Sequence, residues 1–189
     1  MVSDTPFSVC VYCASSTKDP VFVDLAAAVG TAIGRRGWQL VWGGGNVSMM
    51  GAVAHSTRAA GGRTVGVIPK LLVAREVADY EAEELIVTDT MRQRKQVMED
   101  RADAFLTLPG GIGTLEEVFE AWTGGYLGGH DKPVVLLDPF DFYRPLLDWL
   151  DSLREQGFVG QSAMDRLVIT TDIDEALDEC VRDSQSRGA

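Results

Sequence analysis

The chain has few of the residues that metal and redox centres usually need. Its 189 residues include three cysteines and two histidines. Cys10 and Cys13 are three apart in a strand-like run, where residues at that spacing point to opposite faces, so they predict neither a redox pair nor a metal site. So few cysteines fit a reducing compartment, and we expect a cytoplasmic protein.

Positive charge and long apolar runs are also scarce. The 17 lysines and arginines are outnumbered by 28 acidic residues, which leaves a net charge of -11. Because nucleic-acid affinity comes largely from basic side chains on phosphates, this balance opposes a nonspecific nucleic-acid partner. No apolar run approaches the roughly 20 residues of a spanning helix, and the start of the chain lacks the pattern of a secretory signal. We therefore expect neither nucleic acid nor membrane as a partner.

What the chain does have is enough apolar sequence for one core, at 46% of its residues. Continuous apolar runs alternate with segments of helical period, which indicates strands covered on both faces. The sequence predicts a single α/β domain over residues 1–189, a doubly wound and mostly parallel sheet with helices on both faces, with residues 183–189 as a frayed tail. Predicted strands are 7–12, 38–42, 64–68, 84–88, 104–108, 134–137 and 167–170, and predicted helices are 22–36, 90–101, 114–123, 142–156 and 173–182, with Gly124 and Gly125 ending the third of these helices.

One glycine-rich turn, Pro109 to Gly113, joins the apolar run 104–108 to a helix predicted to begin at Thr114. Its glycines allow successive amides to converge on an anion, and the helix N terminus adds to that attraction. A phosphate is the expected ligand. Glu116 and Glu117 follow at once, where the charge of a phosphate makes a carboxylate costly unless it has a task of its own.

A purely structural explanation of the same residues stays open. Thr114 and Glu117 have the spacing of a capping box, in which the hydroxyl and the carboxylate each satisfy a backbone amide of the first helical turn. Acidic residues are also common in first turns because they complement the helix dipole.

Other turns and one helix offer further candidates. Ser15 and Ser16 follow the first strand and either donate to phosphate or serve as turn residues. In the second glycine-rich turn, Gly43 to Gly51, Ser48 takes the place of the third glycine of a dinucleotide motif, so neither an NAD nor an ATP site is predicted. His55 has no neighbour in the sequence that completes a metal or nucleophile set, which favours a packing or surface role.

Cations are grouped on the helix predicted at 90–101. Met91, Lys95 and Met98 share one face, and Arg94 lies beside them. In so acidic a chain, the group of Arg92, Arg94 and Lys95 favours anion binding over a solvated basic face. Glu76, in the irregular stretch after the third strand, is either a ligand contact or a solvated charge.

Several motifs in one order together resemble the LONELY GUY (LOG) family. They are Gly43-Gly44-Gly45, Met50-Gly51, Gly66-Val67-Ile68-Pro69, Met91-x-x-Arg94-Lys95, Pro109-Gly110-Gly111-x-Gly113-Thr114-x-x-Glu117 and Asp131-Lys132-Pro133. The resemblance implies a Rossmann-like homodimer that hydrolyses cytokinin riboside 5'-monophosphates to the free N6-substituted adenine and ribose 5-phosphate. Neither a metal nor another cofactor is expected, since the sequence shows no ligand cluster and no persuasive pyridoxal phosphate site.

Carried over by position, the resemblance makes Arg94 and Glu117 the catalytic pair. It assigns substrate contacts to Glu76, Lys95, Gly110, Gly111, Ile112, Gly113, Thr114, Leu115, Glu116 and Thr123. These roles make chemical sense, because a carboxylate near the anomeric carbon stabilises the positive charge that develops on the ribose and activates water. Arg94 then orients Glu117 or holds the phosphate, while Trp122 and the methionines offer an apolar space for the N6 group.

Three departures from the usual family residues leave the substrate preference open. Ala14 and Ser48 replace glycines, and Thr123-Gly124-Gly125-Tyr126 replaces Thr-Trp-Ala-Gln. Two other functions therefore stay in view. One is a phosphoribohydrolase for AMP or other purine nucleotides, and the other is a carrier or sensor that binds a nucleotide without cleaving it.

Overall fold

The computed structural model of the chain describes residues 6–73 and 77–182. Within these ranges all strands belong to one parallel sheet: β1 Ser8–Tyr12, β2 Gln39–Trp42, β3 Arg63–Pro69, β4 Glu84–Thr88, β5 Ala104–Thr107, β6 Val134–Leu137 and β7 Leu167–Thr170. The helices of the same ranges are α1 Pro20–Arg35, α2 Ser48–Ala59, α3 Met91–Asp100, α4 Ile112–Tyr126, α5 Arg144–Glu155, α6 Gln161–Met164 and α7 Ile173–Val181. The predicted tail at 183–189 lies outside the described residues.

The strand order is β4-β3-β2-β1-β5-β6-β7, so the chain begins in the middle of the sheet and builds outward in both directions. Parallel pairing of Val9 with Leu40 on one side and with Ala104 on the other fixes the register of the central strand. The order reverses between β1 and β5. At such a reversal the loops that follow the two strands separate and leave a crevice at the carboxyl edge of the sheet.

Two hydrophobic layers flank the sheet. Val9 and Val11 of β1 face a cluster with α1, α2 and α7, whereas Cys10 and Tyr12 face a second cluster with α3, α4 and α5. The prediction of a doubly wound α/β sheet with helices on both faces is therefore confirmed, and the sheet is wholly parallel. Cys10 and Cys13 belong to different clusters, as their spacing predicted. None of the helices in residues 6–73 and 77–182 has the length and apolar character of a membrane span.

Two glycines allow α1 and α2 to pack with their backbones nearly in contact. A Cβ atom on Gly30 would lie 2.2 Å from the carbonyl oxygen of Val53, and one on Gly34 would lie 2.5 Å from that of Thr57. Both distances are far below any real Cβ contact. Glycine is thus required here by the closeness of the neighbouring helix.

The start of α4 differs from its prediction. The helix begins at Ile112 with Gly111 as its N-cap, so Thr114 lies inside the first turn and the capping box considered as an alternative for Thr114 and Glu117 is not formed. The reason is that Gly111, with φ -95° and ψ -153°, already ends the extended segment, and its carbonyl accepts from the amide of Leu115 at 2.9 Å.

The end of α4 was also wrongly predicted. The helix continues through Gly124 and Gly125 to Tyr126, because the His130 ring packs on both glycines and is within hydrogen-bonding distance, 2.9 Å, of the Ala121 carbonyl oxygen. A tertiary contact thus overrides the low helix propensity of glycine. The short helix α6 was not predicted.

We expect Gly30→Ala to lower the free energy of unfolding by about 1–3 kcal/mol, because the added methyl group forces α1 and α2 apart. Urea unfolding followed by circular dichroism measures this change. Gly124→Ala is the matched control, since its Cβ would meet His130 at an ordinary 3.4 Å, and it should be neutral or stabilise the protein by up to about 1 kcal/mol. Equal destabilisation by both substitutions would contradict the packing argument.

Candidate active site

A cavity of about 290 Å³ opens at the crevice above the carboxyl ends of β1, β2, β3 and β5. Its walls come from the loop after β1, the turn after β2, α3 and the first turn of α4. The predicted site residues that line it are Arg94, Gly111, Ile112, Gly113, Thr114, Glu116 and Glu117. The fold thus brings both predicted catalytic residues and most of the glycine turn to one cavity.

The first turn of α4 forms one wall of this cavity. Gly111, Ile112 and Gly113 are exposed along it, and nothing lies within 4 Å of the Cβ positions of the two glycines. The first amides of any α-helix have no partner within the helix, and the positive end of the helix dipole lies beside them. The predicted anion site rests on these features, and the ligand itself stays a prediction.

Gly110 and Leu115 shape this wall and do not line it. A Cβ atom on Gly110 would lie 2.2 Å from Oγ1 of Thr114, so the turn passes directly against that buried side chain. Leu115 is half-buried and packs on the hydrophobic cluster beneath α4. Their assigned role as substrate contacts is not reflected in the lining of the cavity.

Arg94 is a buried cation at the base of the cavity, with 5% of its surface exposed. Its Nε donates to the carbonyl of Val67 at 3.0 Å, and its Nη2 donates to the carbonyl of Gly43 at 2.9 Å. These two bonds join α3 to the end of β3 and to the turn after β2. A Cβ atom on Gly43 would lie 2.0 Å from Nη2, so the guanidinium can occupy this place only because residue 43 is a glycine.

Glu117 is half-buried, lines the same cavity as Arg94 and also borders a narrow recess between α3 and α4. Its charge and that of Arg94 act on the same buried thiol. Burial first, and then the Glu117 carboxylate, raise the pKa of Cys10 well above its ordinary value, whereas Arg94 opposes the rise. The two predicted catalytic residues thus share one weakly solvated region at the end of β1.

Lys95 points away from the cavity, into the recess that Tyr12, Glu99 and Glu120 line. Its Nζ is 2.7 Å from Oε1 of Glu116 and forms a second ion pair with Glu120. Hydrogen bonds to these two carboxylates raise the pKa of Lys95. In this structure the residue therefore ties α3 to α4.

Thr123 lies further along α4, in an apolar groove of about 350 Å³ with Trp122 and Phe158. Trp122 donates from its indole nitrogen to the carbonyl of Ala163 at 2.6 Å, so its place is in that groove and the core. Of the residues considered for an apolar space, Met50 and Met91 line the central cavity. Glu76 lies outside the described residues, and its role stays a prediction.

The sequence did not single out every residue that lines the cavity. Cys13 and Leu72 are on its wall, and Ser15 and Ser16, for which a turn role stayed open, face it as well. Leu72 follows β3 in a stretch without clear period, so no local pattern marked it.

Ser48 closes the base of the turn after β2 and is one of the departures from the usual family residues. It adopts a left-handed backbone with φ 53°, a conformation that glycine tolerates far better. Its hydroxyl donates to the carbonyl of Thr17 at 2.7 Å and ties this turn to the loop after β1. The serine thus lacks the backbone freedom of a glycine, but its side chain adds a contact between two loops of the site.

His55 is less isolated in the fold than its sequence neighbours indicated. One ring nitrogen of His55 and one carboxylate oxygen each from Asp79 and Glu81 lie within 4.8 Å of one another, so acids distant in the sequence come close to it, while its exposed position fits the predicted surface role. Arg58 lies in the same group, with Nη2 2.9 Å from the buried Asp79 carboxylate and 3.6 Å from that of Glu81. A protein cation therefore already balances these acids.

Comparison with known proteins places the chain in a family. A family model described as "Possible lysine decarboxylase" matches residues 50–180. A cytokinin riboside 5'-monophosphate phosphoribohydrolase of Mycobacterium tuberculosis is 59% identical over 92% of this chain and 93% of its own length. The chain belongs to the LONELY GUY (LOG) family.

Two further relatives extend the match to this LOG protein. A cytokinin riboside 5'-monophosphate phosphoribohydrolase of Mycobacterium marinum is 57% identical over 94% of this chain and 96% of its own length. One of Rhodococcoides fascians is 41% identical over 92% of this chain and 88% of its own length. The predicted family is confirmed.

Solved structures with low sequence identity confirm only the fold of the LOG protein. A molybdenum cofactor binding protein of Rippkaea orientalis has a TM-score of 0.66 at 22% identity, over 93% of this chain and 95% of its own. The molybdenum cofactor carrier protein of Chlamydomonas reinhardtii has a TM-score of 0.65 at 20% identity, over 92% of this chain and 94% of its own.

The description of the family model does not fit the cavity of this LOG protein. A pyridoxal phosphate enzyme holds its cofactor as a Schiff base on a lysine. In the part of the chain that the structure describes, the cavity lining includes no lysine, and Lys95 is held by two carboxylates outside it.

We expect Gly43→Ala to lower the free energy of unfolding by about 1–3 kcal/mol, because a methyl group displaces the buried Arg94 guanidinium. A double-mutant cycle with Arg94→Ala, in which urea unfolding gives the free energy of each variant, tests whether the guanidinium is the cause. The cost of Gly43→Ala should fall by more than half when residue 94 is alanine, since the two side chains then no longer compete.

The matched control for this cycle is Gly160→Ala, where the added Cβ would meet nothing closer than 3.7 Å and the backbone already has φ -78°. It should leave stability nearly unchanged in either background. An unaltered cost of Gly43→Ala in the Arg94→Ala protein would mean that the guanidinium is not what requires a glycine.

Proposed function

We propose that this LOG protein hydrolyses cytokinin riboside 5'-monophosphates, such as isopentenyl-AMP, to the free cytokinin base and ribose 5-phosphate. The phosphoribohydrolases that are 57–59% identical over almost the whole chain support this function. Within the fold, the observation that carries it is the convergence of Arg94, Glu117 and the first turn of α4 on one cavity.

The reaction breaks the bond between C1' of the ribose and a purine nitrogen, while water adds to C1' and the base leaves with a proton. Positive charge builds on the sugar ring before water adds. A carboxylate beside C1' stabilises that charge and takes a proton from the water. We assign this role to Glu117, whose half-buried position beside the cavity limits its solvation and strengthens its interaction with a charged ring.

The 5'-phosphate is assigned to the first turn of α4. Gly111 and Gly113 are open there, and the dipole end favours an anion. Glu117 lies on the same helix, one to two turns further along, so a phosphate held at the turn places the ribose between the two. Binding energy from the phosphate, which does not react, then orients the bond that does.

Arg94 supplies a fixed positive charge at the base of the site. Two of its donors are committed to the carbonyls of Val67 and Gly43, so the guanidinium cannot swing out toward solvent. A buried cation favours a negative group nearby, and we propose that it keeps Glu117 ionised and oriented or holds the phosphate.

The apolar part of the cavity wall suits the N6 group of the base. Met50, Met91 and Leu72 lie there, and methionine side chains adapt their shape to an apolar partner. Substrate contacts of Glu76 and Thr123, a homodimer and a cytoplasmic location are proposed on the family resemblance and the sequence.

Incubation of the protein with isopentenyl-AMP or with AMP, followed by chromatography of the free base and an assay of ribose 5-phosphate, tests the function. We expect both products from isopentenyl-AMP. Faster release from AMP would favour the general purine phosphoribohydrolase. Nucleotide binding without any ribose 5-phosphate over hours would favour a carrier.

Glu117→Gln should lower kcat by about 10²- to 10⁴-fold, because the amide neither takes a proton nor carries the charge that stabilises the ribose. Steady-state kinetics with isopentenyl-AMP give the change, and circular dichroism checks the fold. Glu120→Gln is the matched control, since that side chain lies one turn further along α4 and pairs with Lys95 outside the cavity. A Glu117→Gln enzyme within about threefold of the parent would refute the assignment.

Lys95→Met should move the acid limb of the pH profile of kcat/KM to higher pH. Removal of its charge leaves the carboxylates of Glu116 and Glu120 without their cation beside Glu117, which borders the same recess, and this makes the ionised form of Glu117 more costly. Rates from pH 4 to 9 measure the shift, with Lys70→Met as the exposed control. An unchanged acid limb together with a much higher KM would instead mean that Lys95 contacts the substrate.

A further inference from the structure

Tyr143 lies between β6 and α5, far from the cavity in sequence, yet its hydroxyl reaches the glycine turn. The side chain is buried, with 2% exposed, and the hydroxyl donates to the carbonyl of Leu108 at 2.8 Å. Leu108 immediately precedes Pro109 and Gly110, so this bond is made at the point where β5 ends and the turn begins.

A buried carboxylate fixes the position of this tyrosine. Asp138, at the end of β6, accepts from the amide of Phe142 at 2.8 Å through Oδ1 and from the amide of Tyr143 at 2.7 Å through Oδ2. Its own amide donates to the carbonyl of Thr170 in β7 at 2.8 Å. The position of the phenol is therefore fixed through the ends of β6 and β7.

The hydroxyl also interacts with a second backbone group of the turn. Burial raises the pKa of the Tyr143 phenol well above its ordinary value, and a hydrogen bond with the Gly110 backbone opposes part of that rise. The hydroxyl thus stays protonated and able to donate to the carbonyl of Leu108.

The turn has few other points of attachment that could define its path so closely. On the β1 side, the amide of Leu108 donates to the carbonyl of Tyr12 at 2.9 Å, and the carbonyl of Pro109 accepts from the amide of Ala14 at 3.3 Å, which is a long bond. On the α4 side, Gly110 packs against Thr114 through van der Waals contact. The contacts at Pro109 and Gly110 are weaker than the two bonds at Leu108, where the hydroxyl of Tyr143 adds to the pairing with β1.

We propose that Tyr143 is a positioning residue for the anion-binding turn: its hydroxyl holds the backbone from Leu108 to Gly110 so that the amides of the first turn of α4 converge on the 5'-phosphate. The identity of the anion rests on the proposed function, whereas the placement of the turn does not. Tyr143 touches neither the reacting bond nor the cavity, so its effect should appear in phosphate binding and only weakly in the chemical step.

Tyr143→Phe tests this role because it removes one oxygen and leaves the ring in its packing. The KM for isopentenyl-AMP should rise roughly 5- to 30-fold, the range expected when a buried hydrogen-bond partner is lost, and kcat should stay within about threefold. Calorimetric titration should show a similar loss of affinity for ribose 5-phosphate and an unchanged affinity for the free base. Tyr126→Phe, whose ring is 47% exposed on the far part of α4, is the matched control.

Three outcomes would overturn the proposal. They are an unchanged affinity for ribose 5-phosphate, an equal loss for ribose 5-phosphate and the free base, and a lower melting temperature with unchanged KM. If Tyr143→Phe fails to fold, Asp138→Asn, which loosens the anchor of the tyrosine, should give a smaller loss in the same direction, and unchanged ribose 5-phosphate binding in that variant would overturn the proposal equally.

Failure of the proposed function can be told apart from failure of this inference. A parent protein that releases no ribose 5-phosphate from any nucleotide refutes the hydrolase. Titration of the parent and Tyr143→Phe with inorganic phosphate then still decides whether the hydroxyl shapes an anion site, and equal affinities of the two proteins would refute it.

Discussion

A buried guanidinium bonded to two backbone carbonyls is the constraint on which the site depends. Arg94 cannot leave its place without exposing the carbonyls of Val67 and Gly43 to an apolar surrounding, and burial without a partner is costly for such groups. Its presence explains why residue 43 has no side chain and why α3 is held against the ends of β2 and β3. It also places a fixed positive charge beside a cavity whose other wall carries carboxylates.

The positions of Glu116, Glu117 and Glu120 along α4 give these carboxylates different neighbours. Glu116 and Glu120 are four residues apart, hence on one face, and both pair with Lys95. Glu117 is rotated by about 100° from Glu116 and borders both the cavity and the recess around Lys95, whereas Glu116 lines the cavity and pairs with Lys95. The adjacent acids Glu116 and Glu117 therefore have different surroundings. Glu116 helps to join two helices, and Glu117 is the carboxylate to which the proposed reaction assigns the catalytic role.

Much of the fold could be predicted because buried parallel strands are written as continuous apolar runs. The strand at 134–137 agrees in both bounds, and 104–108 differs from β5 by one residue. Helix ends were harder to predict. The start of α4 depends on the backbone of Gly111, and its end depends on a contact with His130 that helix propensity does not describe. Within the site, motif spacing located Arg94 and Glu117, but the direction of Lys95 and the reach of Tyr143 depend on how α3, α4 and the β6–α5 loop pack.

The reversal of strand order between β1 and β5 also bears on how the protein acquires its site during folding. Walls of the cavity come from Ser15, Gly43, Arg94 and Glu117, which are spread over about a hundred residues of chain. An amino-terminal fragment that stops before β5 would hold most of one half of the sheet and only half of a ligand pocket. Ligand occupancy therefore reports on completion of the central sheet, and a nucleotide that binds there would selectively stabilise the fully assembled chain over every partly folded form.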